Sequence, residues 1–213
     1  MKNQTNYQKK TQETLCLENR KDVKTSMKSR IEKHFSAKRI ALMAIFVALS
    51  FTVSLLSFSI FPTSPVFFLE LDFGNVFILL ISFLLGPVEG VVVCILKELF
   101  RMLAGSTGGV GEIANMITTC SFILLPSIVY QFKKGLPTVI LTLLGACIIG
   151  TVAALLANRF ITFPLFLKDA AVEVFYNGFW FIVAFNLIKT VSISVLTLFL
   201  YKRLSNFIKT FRI

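Results

Sequence analysis

The stretch IALMAIFVALSFTVSLLSFS, residues 40–59, runs twenty residues without a charge. At 1.5 Å per residue, an α-helix of this length crosses a bilayer hydrocarbon core of about 30 Å. It is too long for the core of a signal peptide, and 39 mostly polar residues precede it. It therefore reads as a retained membrane helix and not as a cleaved leader.

The composition of the whole chain agrees. Of 213 residues, 55% are apolar and only 15% charged, with a mean hydropathy of +0.78. A soluble domain carries roughly 25% charged residues. Twenty-three phenylalanines against so few charges exclude a disordered chain and argue against a soluble globular one.

Five further apolar segments follow, giving an all-α integral membrane fold of six helices. The second, Val76–Leu85, is short and closed by Gly86-Pro87, because proline disfavours helix in the residue before it. Ten residues cannot cross alone, so this helix must borrow from 69–75 or sit sheltered by its neighbours. The third spans about 88–103 and carries Lys97, Glu98 and Arg101 near its far end. A glycine-rich loop, 104–111, leads to a fourth helix over 112–130. The fifth spans 137–157, a polar connection covers 158–177, and the sixth spans 178–200.

Charge placement orients these helices. The formal net charge is +11, and +7 of it lies in residues 1–39. With both termini inside, the inner segments hold 17 of the 22 Lys and Arg, and the outer loops hold only Arg159 and Lys168. The excess of positive charge on cytoplasmic loops thus places both termini in the cytoplasm of a cell-membrane protein. The chain divides into a basic cytoplasmic leader (1–36), a membrane domain (37–203) and a basic cytoplasmic tail (204–213). The leader suits anionic lipid. It lacks the interleaved aromatics of a nucleic-acid site, offering only Tyr7 and Phe35.

Several chemistries are excluded. The only histidine, His34, lies in the leader, which removes His-based triads and H-E-x-x-H metal sites. The four cysteines are scattered, with no C-x-x-C, so neither a disulfide framework nor a zinc site is indicated. No two acids face each other at mid-span, and no Walker motif is present. The chain reads as neither an enzyme nor an ATPase, and no cofactor or metal is expected.

The candidate functional residues are the costly ones. An ionisable group in mid-membrane is expensive and usually functional. Lys189 lies near the middle of the sixth helix, three residues after Asn186, so both project from one face. They serve either an internal ion pair or a polar ligand. Glu112 and Asn115 repeat the same spacing beside Gly108 and Gly109, where the backbone can approach a ligand closely. The outer loop Glu70-Leu71-Asp72-Phe73-Gly74-Asn75 is either a lid or a solvated turn, and Asn158 is equally open. Ala37-x-x-x-Ala41 and Ala44-x-x-x-Ala48 make a flat stripe where another helix can pack.

Six helices, the alanine-striped first helix and the outer loop resemble the S-components of energy-coupling factor (ECF) vitamin transporters. Five segments in order, 71–75, 84–90, 105–115, 158–165 and 185–189, resemble the riboflavin-specific subfamily. The resemblance covers roughly residues 37–203. It implies a high-affinity riboflavin-binding subunit for vitamin uptake. Such a subunit docks through the alanine stripe on a transmembrane coupling protein driven by two cytoplasmic ATPases. It further implies that Asn158, Asn186 and Lys189 contact the flavin ring. Leu71, Asp72 and the glycine loop then cover the ligand and hold its ribityl chain. Another vitamin, FMN, or a scaffold without ligand are the alternatives.

Overall fold

The computed structural model describes residues 37–61, 69–104 and 109–210. The leader 1–36, the segment 62–68 and residues 105–108, including Gly108, lie outside the described residues. The chain divides after Leu42 into a unit 1–42 and a compact unit 43–213.

Eight α-helices are seen among the described residues: α1 Ala37–Ser54, α2 Asn75–Leu84, α3 Pro87–Ala104, α4 Val110–Phe132, α5 Leu136–Ala157, α6 Phe163–Leu167, α7 Ala171–Asn177 and α8 Phe179–Thr210. Four helical runs are long and apolar enough to cross a membrane: Ala37–Ser54, Val110–Phe132, Leu136–Leu167 and Phe179–Tyr201. Apolar side chains such as Leu141, Ile148, Trp180 and Phe199 are exposed along them, as befits helices solvated by lipid.

The short second helix is sheltered. α2 spans ten residues, about 15 Å at the α-helical rise, and eight of them are buried. It packs on α3, α4 and α8. The α2–α3 turn is tight because Gly86 takes φ +130 and Gly90 lies against Ser82, where a Cβ would approach the Ser82 Cβ to 2.5 Å. Only glycine fits such a contact.

Three expectations from the sequence are corrected. The first helix ends at Ser54, five residues before the apolar stretch does. After Ser54 the chain tightens through i→i+3 bonds, Leu56 N–H to Val53 O and Ser57 N–H to Ser54 O. Phe58–Ser59 (β1) then pairs antiparallel with Glu70–Leu71 (β2). The last helix runs on to Thr210, so the segment read as a tail is helical over most of its length. The polar connection 158–177 is also mostly helical. α5 continues without a break through a π-helical turn, Asn158–Thr162, into α6, with Phe163 N–H bonding Asn158 O. Pro164, which has no N–H to continue the ladder, follows closely on this π turn.

α1 is joined to the loop before α2 by specific contacts. Ser50 and Ser54, four apart, face the loop. Ser50 Oγ donates to Gly74 O at 2.7 Å and Ser54 Oγ to Asp72 Oδ1 at 2.6 Å. A Cβ at Gly74 would lie 2.3 Å from both Ser50 O and Ser54 Oγ. The loop therefore sits on the helix only because residue 74 has no side chain. Phe163 of α6, Ala171 and Phe175 of α7 and Ile182 of α8 form a buried apolar cluster, against which Leu69 packs.

Candidate functional site

One cavity of about 610 Å³, counted with the space at its opening, lies between the α1–α2 loop, α3, the start of α4, the π turn and α8. It is lined by Glu70, Asp72, Glu98, Arg101, Glu112, Asn115, Thr118, Asn158, Thr162, Asn186 and Lys189, with Leu69, Gly111, Ala114 and Phe185. Polar groups gathered among apolar helices either pair with one another or mark a substrate pathway.

The sequence candidates largely converge here. Asp72, Glu112, Asn115, Asn158, Asn186 and Lys189 all line the cavity. Leu71 and Gly109 do not. Leu71 is buried in the ladder opposite Phe58, and Gly109, at φ +89, caps α4 while Gly111 reaches the cavity. Ala37, Ala41, Ala44 and Ala48 are elsewhere, exposed on α1.

A charged network backs the cavity. Lys97 is fully buried, and its ammonium donates to Asp72 Oδ2, to Glu98 Oε1 at 2.6 Å and to Asn75 Oδ1 at 3.2 Å. Asp72 Oδ1 also receives the Gly74 N–H at 2.8 Å. Burial alone would raise the Asp72 pKa, but the Lys97 charge and the hydrogen bonds outweigh it and hold it below the ordinary carboxylate value. Asp72, from the loop, and Glu98, from α3, thus converge on one lysine, which pairs with both. Arg101 extends the network, donating to Ser54 O at 2.8 Å and to Glu70 Oε2 at 2.9 Å.

Asn115 links this cage to Lys189. Its Nδ2 donates to Glu98 Oε1 at 2.5 Å, and its Oδ1 accepts from Lys189 Nζ at 2.5 Å and Asn75 Nδ2 at 3.3 Å. Asn158 and Asn186 each spend an amide hydrogen on their own helix, to Ala154 O and Ile182 O. Three buried polar atoms on the lining, Glu98 Oε2, Asn158 Oδ1 and Thr162 Oγ1, have no hydrogen-bond partner. Leaving such an atom without a partner costs free energy.

Glu98 and Thr162 were missed as site residues, and Glu70 was legible only as part of the outer loop. The charges on α3 were visible in sequence near the helix's far end, but their spacing does not show which of them face a cavity. The π turn that brings both Asn158 and Thr162 to the cavity leaves no periodicity signal, although such bulges are frequent at functional sites.

Comparison with known proteins agrees with this architecture. The family model "ECF transporter, substrate-specific component" matches residues 38–201. The chain is 33% identical over 180 residues to the riboflavin transporter RibU of Staphylococcus aureus (strain TCH60), covering 81% of this chain and 93% of the relative. It is 25% identical over 183 residues to the riboflavin transporter FmnP of Bacillus subtilis (strain 168), covering 81% and 94%. A solved structure described as the S component of a bacterial ECF transporter superposes with a TM-score of 0.69 at 33% identity, covering 81% of this chain and 98% of that one. The chain is a membrane-embedded transport subunit, and it belongs to the substrate-specific components of ECF transporters.

Proposed function

We propose that this chain is the riboflavin-binding subunit of an ECF-type uptake system in a bacterial plasma membrane. The observation that carries the reading is the cavity: amides from Asn158 and Asn186, the Lys189 ammonium and the apolar Phe185 converge on one space. An isoalloxazine offers carbonyls and an imide along one edge, which amides and an ammonium can read, and a flat apolar face for a phenyl ring. Two relatives that are riboflavin transporters support riboflavin as the ligand over another vitamin or a scaffold role.

In this reading six helical segments cross or enter the bilayer, α2 being the sheltered one. Both termini are cytoplasmic, and the α1–α2 loop is the lid. Asp72, Glu112, Asn115, Asn158, Asn186 and Lys189 contact the ligand directly, and Leu71, Gly108 and Gly109 shape the cover. The exposed Ala44–Ala48 face of α1, continued by Ala37 and Ala41, receives the coupling protein, which two cytoplasmic ATPases drive.

The test is a titration of detergent-purified, flavin-stripped protein with riboflavin, followed by quenching of flavin fluorescence. Saturable binding is expected, with Lys189→Ala weakening it at least about tenfold, the worth of one charged hydrogen bond. A wild-type protein that leaves riboflavin fluorescence unchanged overturns the reading.

A further inference from the structure

Two ion pairs join the loop before α2 to α3, and they differ in how open they are to solvent. The Lys97 and Asp72 side chains are 0% and 3% exposed. Those of Arg101 and Glu70, one helical turn further along α3, are 15% and 39% exposed. Among the charged residues lining the cavity, Asp72, Glu98, Glu112 and Lys189 are buried, and only Glu70 and Arg101 are half-buried. The rim of the cavity therefore lies at the outer pair.

Arg101 serves three acceptors at once. Its Nη1 donates to Ser54 O at 2.8 Å and to Ser57 Oγ at 3.2 Å, and its Nη2 donates to Glu70 Oε2 at 2.9 Å. Ser54 ends α1, where carbonyls lack helical partners and a cation is favoured. Glu70 Oε2 also accepts from Ser57 Oγ at 2.6 Å, so one oxygen receives both contacts. Beyond Glu70 the chain is pinned, Asp72 by Lys97 and Ser54 and Gly74 by Ser50. The β1–β2 ladder is only two residue pairs long. A hairpin this short can lift from the cavity while Asp72 stays in place. Lifting it breaks the Arg101–Glu70 contact and unpacks Leu69 from its apolar cluster.

We propose that the Arg101–Glu70 pair is the latch of the outer lid, and that Arg101 is a positioning residue that sets how fast the ligand passes in and out. The buried Lys97–Asp72 pair is then the fixed anchor, and the exposed pair the contact that opens. This rests on the lid and flavin readings above and assigns to named atoms the step that limits passage.

The experiment mixes riboflavin with detergent-purified wild type, Arg101→Gln, Glu70→Gln and the double variant in a stopped-flow instrument. Quenching of flavin fluorescence gives the association and dissociation rates. A latch must open for entry as for exit, so each single variant should raise both rates about three- to tenfold, the range of a half-exposed charged hydrogen bond. The double variant should be no faster than Arg101→Gln, because either change removes the same contact. Riboflavin is uncharged, so salt does not steer its encounter with the protein. Raising KCl to about 1 M should screen the exposed pair, speeding both rates in wild type and not in Glu70→Gln. Dissociation that speeds up alone marks a direct ligand contact and overturns the proposal. Unchanged rates, multiplied effects in the double variant, or a salt effect that persists in Glu70→Gln also overturn it, and each of these leaves the flavin reading standing. Wild type that leaves riboflavin fluorescence unchanged defeats both.

Discussion

Lys97 on α3 and Lys189 on α8 are both buried ammonium groups in apolar surroundings, 0% and 6% exposed, yet their neighbourhoods differ. Lys97 is enclosed by two carboxylates and an amide oxygen. Lys189 donates to one neutral amide, Asn115, lies 5.9 Å from the centroid of the Phe185 ring, and borders the cavity. A cation whose charge is matched within the protein ties elements together, here the loop before α2 to α3. A cation matched only by dipoles retains attraction for whatever enters the cavity. Lys97 forms the internal ion pair, and Lys189, at the cavity, is the lysine we propose for the ligand contact.

The largest effect should come from breaking the first of these. Lys97→Met strands Asp72 and Glu98 as buried, mutually repelling acids, and should cost about 3–5 kcal/mol of stability, read as a lowered midpoint of thermal or denaturant unfolding in detergent. Lys189→Met removes a buried charge without stranding a carboxylate. Its unfolding midpoint should move by less than about 1 kcal/mol, while riboflavin affinity falls about ten- to a hundredfold. If the two variants are destabilised equally, the contrast between the lysines fails.

The smallest effect is one of pH. The folded Asp72 pKa lies below its ordinary value, so its contribution is fully present above the unfolded carboxylate pKa of about 4 and is lost as pH falls through the lower folded value. Unfolding midpoints of wild type should be flat from about pH 8 to about pH 5 and drop only below about pH 4. In Lys97→Met that acid-induced drop should shrink. An undiminished drop would place the acid sensitivity elsewhere.

Much of the fold was legible in the sequence, because a membrane helix is specified by length and apolarity, both local properties. Val76–Leu85 was recognised as too short to cross, and its burial follows from that. Lys189 and Asn186 were legible because a polar pair three residues apart in an apolar run is costly in lipid and needs partners. The cage was not. Asp72 and Lys97 meet across 25 residues of chain, and no pattern along the sequence records such a meeting. Nor could spacing show that Ser50, Ser54 and Gly74 form one contact. The absence of a Cβ at 74 matters only once α1 lies against it.

The π turn has a consequence for how the helical run Leu136–Leu167 divides its work. The 32 residues of Leu136–Leu167 extend about 48 Å at the α-helical rise, well beyond a hydrocarbon core of about 30 Å. An uninterrupted helix would present one continuous stripe over that length. One residue accommodated in the wide turn shifts the angular phase of everything after it by about 100°, the rotation of a single α-helical step. The part before the turn can thus keep its register with α4 and α8, while the part after it meets α7 on a different azimuth. Losing one residue anywhere in 158–162 would restore a plain helix and rotate Phe163 out of the apolar cluster it anchors. In this stretch, chain length is as strictly specified as residue identity.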